Sequence, residues 1–164
     1  MSSVAFSQGA TGQFEVRQSR GLLPEGELYV CDTVASRGMF VFESAEGVCS
    51  IVSGNMAATA RLLGFIEQNV VADNSRAIDF GYYAQQKTST EDGDKVAIWQ
   101  TGRFFVTAVS GSIAAGADIY PGDNGKVQGV QVGSAPKIGV CRKGNSSAGD
   151  PIEVEIDLYG RKGA

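Results

Sequence analysis

One pattern of turns and short strands occurs twice in this chain, and it constrains the fold more than any other feature. The first copy runs from Gly21-Leu22-Leu23-Pro24-Glu25-Gly26-Glu27-Leu28-Tyr29-Val30 through Gly64-Phe65-Ile66 to Glu91-Asp92-Gly93-Asp94-Lys95-Val96-Ala97-Ile98. The second runs from Ile113-Ala114-Ala115-Gly116-Ala117-Asp118-Ile119-Tyr120 through Ile138-Gly139-Val140 to Ala148-Gly149-Asp150-Pro151-Ile152-Glu153-Val154-Glu155-Ile156. Each reads as turn, strand, Gly-centred strand, Gly-Asp turn and alternating strand, and each closes on Gly-Arg, at Gly102-Arg103 and Gly160-Arg161. The middle of the first copy is longer, so the halves share a grammar rather than an identity. With 22 Gly in 164 residues, tight turns between short strands are the natural reading. The expectation is a mainly β fold, a small β-barrel or β-sandwich, with related halves at about 21–109 and 110–164 behind an N-terminal arm over 1–20.

Within the first copy, Leu28–Cys31, Met39–Phe42 and Val48–Val52 are expected strands, with turns at Ser36-Arg37-Gly38 and Ala45-Glu46-Gly47. One short helix is expected near 55–63: Ser53 or Asn55 caps it, Met56–Leu63 are mostly helix formers, and Gly64 stops it. At that length it survives only by packing Met56, Ala60 and Leu63 onto a sheet. Val96–Trp99 and Arg103–Val109 flank Thr101-Gly102 and predict a hairpin. In the second copy Ile119-Tyr120, Val127, Val130–Val132, Lys137–Cys141 and Ile152–Leu158 are the apolar or alternating runs. Asp123-Asn124-Gly125 suits a primed turn, which needs positive φ.

The chain contains no His, which removes Ser-His-Asp, Cys-His and His-ligated metal chemistry. It has neither a phosphate loop nor a Gly-x-Gly-x-x-Gly motif. Of the carboxylates able to serve as a glycosidase pair, Asp73, Glu91, Asp92, Asp94 and Asp123 lie in expected turns, where Asp serves turn geometry, leaving only Asp79. Glu91, Asp92 and Asp94 do not have the spacing of an EF-hand loop. The three cysteines, Cys31, Cys49 and Cys141, have no CxxC spacing and read as small buried residues, tolerant of Ser or Ala apart from packing. No cofactor or metal is expected, and no enzymatic activity. A net charge of −4 argues against nucleic acid as a partner. No run is apolar enough for a membrane span, and residues 1–9 lack the features of a secretion signal. The expectation is a protein made and kept in a cytoplasm, or leaving it by another route.

Residues 1–20 are polar, yet carry spaced apolar residues at Val4, Phe6, Phe14 and Val16, and Phe14–Arg17 alternates like a strand. Such a segment suits ordering on a partner. Tyr82, Tyr83, Trp99, Phe104 and Phe105 form a second candidate set, as core or as an oligomer or partner face. Phe104 and Phe105 must point to opposite faces of a strand.

The series Ala114–Tyr120, Gly125-Lys126-Val127, Lys137–Val140 and Ala148–Val154 resembles the tailed-bacteriophage capsid decoration, or head cement, proteins. The resemblance covers 112–156 best and 22–102 loosely. It implies a β-rich decoration domain over 21–164, a homotrimer at capsid threefold or quasi-threefold axes, and N-terminal arms that add strands to the shell. Val4, Phe6, Phe14, Val16 and Arg17 would then be the capsid-binding set, the phage major capsid protein the partner, and the virion exterior the location, after assembly in the bacterial cytoplasm. The alternative is a ligand- or carbohydrate-binding β-module of a phage tail or bacterial surface, using Tyr82, Tyr83 and Trp99.

Overall fold

The structure is a computed structural model that describes residues 7–9, 12–18, 29–67, 69–71, 89–91, 96–107 and 109–158. The strands are β1 (Ser7–Gly9), β2 (Gly12–Gln18), β3 (Val30–Cys31), β4 (Phe40–Ala45), β5 (Val48–Ile51), β6 (Leu62–Ile66), β7 (Asn69–Val71) and β8 (Ser89–Glu91). They continue as β9 (Ile98–Trp99), β10 (Thr101–Val106), β11 (Val109–Ser110), β12 (Asp118–Pro121), β13 (Val127–Gln128), β14 (Gly139–Lys143) and β15 (Ile152–Asp157). An eight-stranded sheet has the order β1-β2-β10-β15-β14-β12-β13-β11, and a five-stranded sheet the order β3-β5-β4-β6-β9. β7 and β8 form a separate parallel pair. The fold is mainly β, as the turn-rich repeat predicts.

The two sheets meet across one aromatic core. Phe40 and Phe65 from the smaller sheet pack edge to face, with ring centroids 5.0 Å apart. Phe65 also lies 5.2 Å from Phe104 of β10 and 5.4 Å from Phe14 of β2. Val106, Ile119, Val127, Cys141, Ile152, Val154 and Ile156 extend this core along the larger sheet. A second cluster, with Tyr29, Cys31, Val41, Cys49, Leu63, Ile66 and Ile98, covers the other side of the smaller sheet. Adjacent residues of β4 and β6 therefore enter different clusters: Phe40 and Phe65 one, Val41 and Ile66 the other.

The helix expected near 55–63 is absent. Residues 53–61 are irregular, with one turn closed by the Ala60 amide on the Ala57 carbonyl at 3.0 Å. Leu62 and Leu63 instead begin β6, where Leu62 faces Phe42 of β4. Two causes act together. A two-turn helix is marginal without tertiary support, and this segment is tied down from outside: the Asp123 carboxylate accepts the Gly54 amide at 2.8 Å, and the Gly125 amide donates to the Val52 carbonyl at 3.0 Å. Gly64 is no helix stop. Its φ is +143°, and an added Cβ would sit 1.9 Å from the Trp99 carbonyl oxygen, so β6 and β9 reach this separation only over glycine.

The hairpin expected around Thr101-Gly102 is also absent. β9 pairs with β6, Phe65 facing Trp99, whereas β10 pairs with β15 and β2 in the other sheet. The chain crosses between sheets at Gln100, whose carbonyl accepts the Leu158 amide at 2.9 Å. Crossing lets Trp99 and Phe104 approach the same core from opposite sheets, with centroids 6.2 Å apart. The primed turn does form: Asn124 (φ 58°, ψ 41°) and Gly125 (φ 73°) are both left-handed and join β12 to the antiparallel β13.

Candidate functional site

The strand expected over Phe14–Arg17 is present, but it pairs with the chain's own β10 rather than lying open for a partner. Val106 faces Phe14, Phe105 faces Glu15 and Phe104 faces Val16. Phe14 is fully buried and stacks on Phe104 with centroids 5.6 Å apart and an interplanar angle of 14°. Gly38 makes room for it, because a Cβ there would meet Phe14 Cβ at 2.6 Å. Arg37 closes the contact from the smaller sheet. Its guanidinium donates to the Phe14 carbonyl at 2.6 Å, lies 5.0 Å from the Phe14 ring centroid and pairs with Glu67 at 2.8 Å. Glu67 also accepts the Trp99 indole N–H at 2.5 Å. Phe14 is thus a core residue held by a latch between the sheets. Val4, Phe6, Tyr82 and Tyr83 lie outside the described residues.

β1 continues the sheet beyond β2 and is its last strand. Its far side has no sheet partner among the described residues, so it is one of the open sheet edges, as are β11, β3 and β9. The outer face of the same sheet is polar. Arg103 and Arg142 both donate to Glu155 Oε2, at 3.0 and 2.8 Å, and Lys137 pairs with Asp118 at 2.7 Å. The Arg142 hydrogen bond, helped by Arg103, holds the Glu155 carboxyl below the usual carboxylate range. Phe105, on this face, is half-buried, whereas its neighbour Phe104 is fully buried, as the alternation of a strand requires.

Two features were not legible as sites. Val130-Gln131-Val132, expected as a strand, is an exposed loop after β13, with Val130 69% and Val132 41% exposed. Gln131 holds it by donating to the Ala135 carbonyl at 2.8 Å, and the Ala135 amide closes a turn on Val132. An alternating run between Gly129 and Gly133 looks the same in sequence whether paired or not. The second feature is a pair of thiols. Cys31 and Cys49 face each other in register on the parallel strands β3 and β5, both fully buried. Cys31 donates to the Thr33 carbonyl at 3.1 Å. The neighbouring Cys49 lowers the Cys31 thiol to about 7, while the same partnership and burial push Cys49 up. Burial also pushes up Cys141, which lies apart in the larger sheet's core.

Asp123, one of the candidate carboxylates, and Asn145 serve the fold. Asp123 holds Gly54. Asn145 accepts the Ile113 amide at 2.6 Å and donates to the Ser147 and Asp150 carbonyls, both at 2.9 Å, so it ties its own loop. Among the described residues no three metal-ligating side chains come together.

The fold is a β protein of two main sheets packed across an aromatic core. Residues 8–156 match the family described as XM1 gp53 minor capsid protein, and the chain belongs to that family. It is a structural protein of the phage virion. Among solved structures, it is similar to a chain in the capsid of Myoviridae phage XM1, at 15% identity and a TM-score of 0.47, over 93% of this chain and 89% of that one. Its similarity to the N base of head fiber gp8.5 in bacteriophage phi29 is 12% identity with a TM-score of 0.41, over 89% of this chain and 96% of that one. No curated protein matches it by sequence.

Proposed function

We propose that this protein binds the outer surface of a phage head and stabilises it, without enzymatic activity, as a decoration or cement protein. The match to a minor capsid family over residues 8–156 carries this reading. The partner is the phage major capsid protein, and the protein acts as a homotrimer. A trimer closes exposed sheet edges by cyclic symmetry, and it multiplies weak single contacts through effective concentration.

The grip on the shell is assigned to the N-terminal arm, with β1 as its root. Phe14 anchors the arm to the chain's own core. That division leaves Val4 and Phe6 to meet the capsid, with β1 as the edge on which a capsid strand adds. The carbohydrate-binding alternative gains no support from Trp99, whose indole is engaged by Glu67 and packs near Phe104.

The test is a chain lacking residues 1–9, which keeps β2 and Phe14. It folds as the full chain does, by far-UV circular dichroism and melting, but no longer sediments with filled heads. Unchanged decoration by the truncated chain would move the contact to the sheet faces or the Val130–Val132 loop. Sedimentation showing only monomer, both free and on the particle, would remove the trimer.

A further inference from the structure

We propose that Cys31 and Cys49 are a built dithiol that closes to an intrachain disulfide under peroxide, clamping the edge of the five-stranded sheet. The two residues are direct register partners on neighbouring parallel strands. Adjacent strands lie about 4.8 Å apart, inside the roughly 4.4–6.8 Å Cα separation that a disulfide spans. Both side chains enter the same buried cluster, so they leave the sheet on the same side. Cys141 belongs to the other cluster and does not compete.

The asymmetry of the pair sets the order of events. The neighbouring Cys49, and behind it the Thr33 groups, hold the Cys31 thiol low, at about 7, which makes it the nucleophile. The oxidant is hydrogen peroxide, a water-sized molecule. β3 is the last strand of its sheet, and its flanking residues Asp32 and Val34 are exposed, so the approach to the pair is short. The Cys31 thiolate attacks one peroxide oxygen and the O–O bond breaks. Cys31 becomes a sulfenic acid, and the departing hydroxide leaves as water with the proton that Cys31 gave up. The Cys49 sulfur then attacks the Cys31 sulfur. The S–O bond breaks, and its hydroxide leaves as a second water with the Cys49 proton. Two thiols have lost two electrons and two protons, and one peroxide has become two waters.

The chemistry rests on this geometry alone. Its occasion rests on the capsid reading: a virion component passes from a reducing cytoplasm to an oxidising exterior. A clamp formed at that step would brace the turn-and-strand segment between Cys31 and Cys49 when the particle has no further access to synthesis or repair.

The experiment uses the full wild-type chain, so it does not depend on any variant folding. The purified reduced protein is treated with hydrogen peroxide, then denatured and alkylated, and its tryptic peptides are weighed. Three thiols label before oxidation and one, Cys141, after it. The peptides carrying Cys31 and Cys49 appear joined, lighter than their sum by the mass of two hydrogens. The urea midpoint rises on oxidation and returns to its starting value with dithiothreitol. Three labelled thiols after treatment would overturn the proposal. So would sulfinic acid at Cys31, or a disulfide between two molecules. C141S, where it folds, gives the same joined peptides.

Discussion

In β10 of the eight-stranded sheet every second side chain is buried, whereas in β6 of the five-stranded sheet Leu63, Gly64, Phe65 and Ile66 are buried in succession. The larger sheet faces the core on one side and water on the other. The smaller sheet has the aromatic core on one side and the Cys31–Cys49 cluster on the other. Alternation is the imprint of one wet face, and a strand dry on both faces loses it. The smaller sheet therefore depends on shape at its centre, while the larger sheet carries exchangeable polar groups over half its surface.

Substitutions at neighbouring positions on opposite faces test that contrast most severely. Phe14→Ala empties a fully buried site in contact with Phe65 and Phe104. It should lower unfolding free energy by about 3–5 kcal/mol in urea titration. Phe105→Ala, on the outer face, should lose roughly 1 kcal/mol. Equal losses would mean that the outer face is as dry as the inner one. The size of the Phe14 effect also decides whether residues 12–18 are part of the domain or a detachable arm.

Gly64→Ala probes the smaller sheet without removing a contact. The new methyl meets the Trp99 carbonyl, and the φ of +143° disfavours any side chain. A loss of about 2–3 kcal/mol is expected. A neutral result would show that β6 and β9 can separate freely. Arg37→Ala cuts the latch between the sheets. It should cost about 1–2 kcal/mol, through the Phe14 carbonyl and Glu67 left behind at a partly buried site. The Trp99 fluorescence maximum should shift to the red as its Glu67 contact loosens.

Glu155→Gln should have the smallest effect, under about 1 kcal/mol, because Arg103 and Arg142 are solvent-screened partners. Its pH dependence is more telling than its size. The Glu155 pKa is lowered in the fold, so its stabilisation is present above the unfolded-state carboxylate pKa and is lost as pH falls through the folded value. The difference between wild type and variant should therefore vanish in acid and be constant near neutrality. A difference that grew as the pH fell would contradict the Arg142 pairing.

The same contrast explains what was legible beforehand. Residues of β15 alternate buried and half-buried from Ile152 to Ile156, and this strand was expected almost to the residue. Phe104 and Phe105 divide between the faces because strand geometry leaves no other choice. The Asp123-Asn124-Gly125 turn was readable because two successive positive φ angles select those residue types. Gly64-Phe65-Ile66 was readable as a Gly-centred strand, but Leu62 and Leu63 were not readable as its start. An apolar run buried on both sides has no period, and the helix formers before it supplied a false one. Phe14 was recognised as belonging to a strand, yet its partner was chosen by Gly38 and Arg37, both distant in sequence.

Local chemistry alone determined that this chain is β-rich, where most of its turns fall, and that no histidine-based chemistry is available to it, because each of these follows from residue type or from spacing within one strand. Tertiary structure decided the rest. It sent β9 and β10 to different sheets, drew β2 into the core, left Val130 and Val132 in water, and set Cys31 opposite Cys49. These outcomes depend on which distant strands compete for the same edge and the same aromatic pocket, and that competition is settled only when the whole core packs.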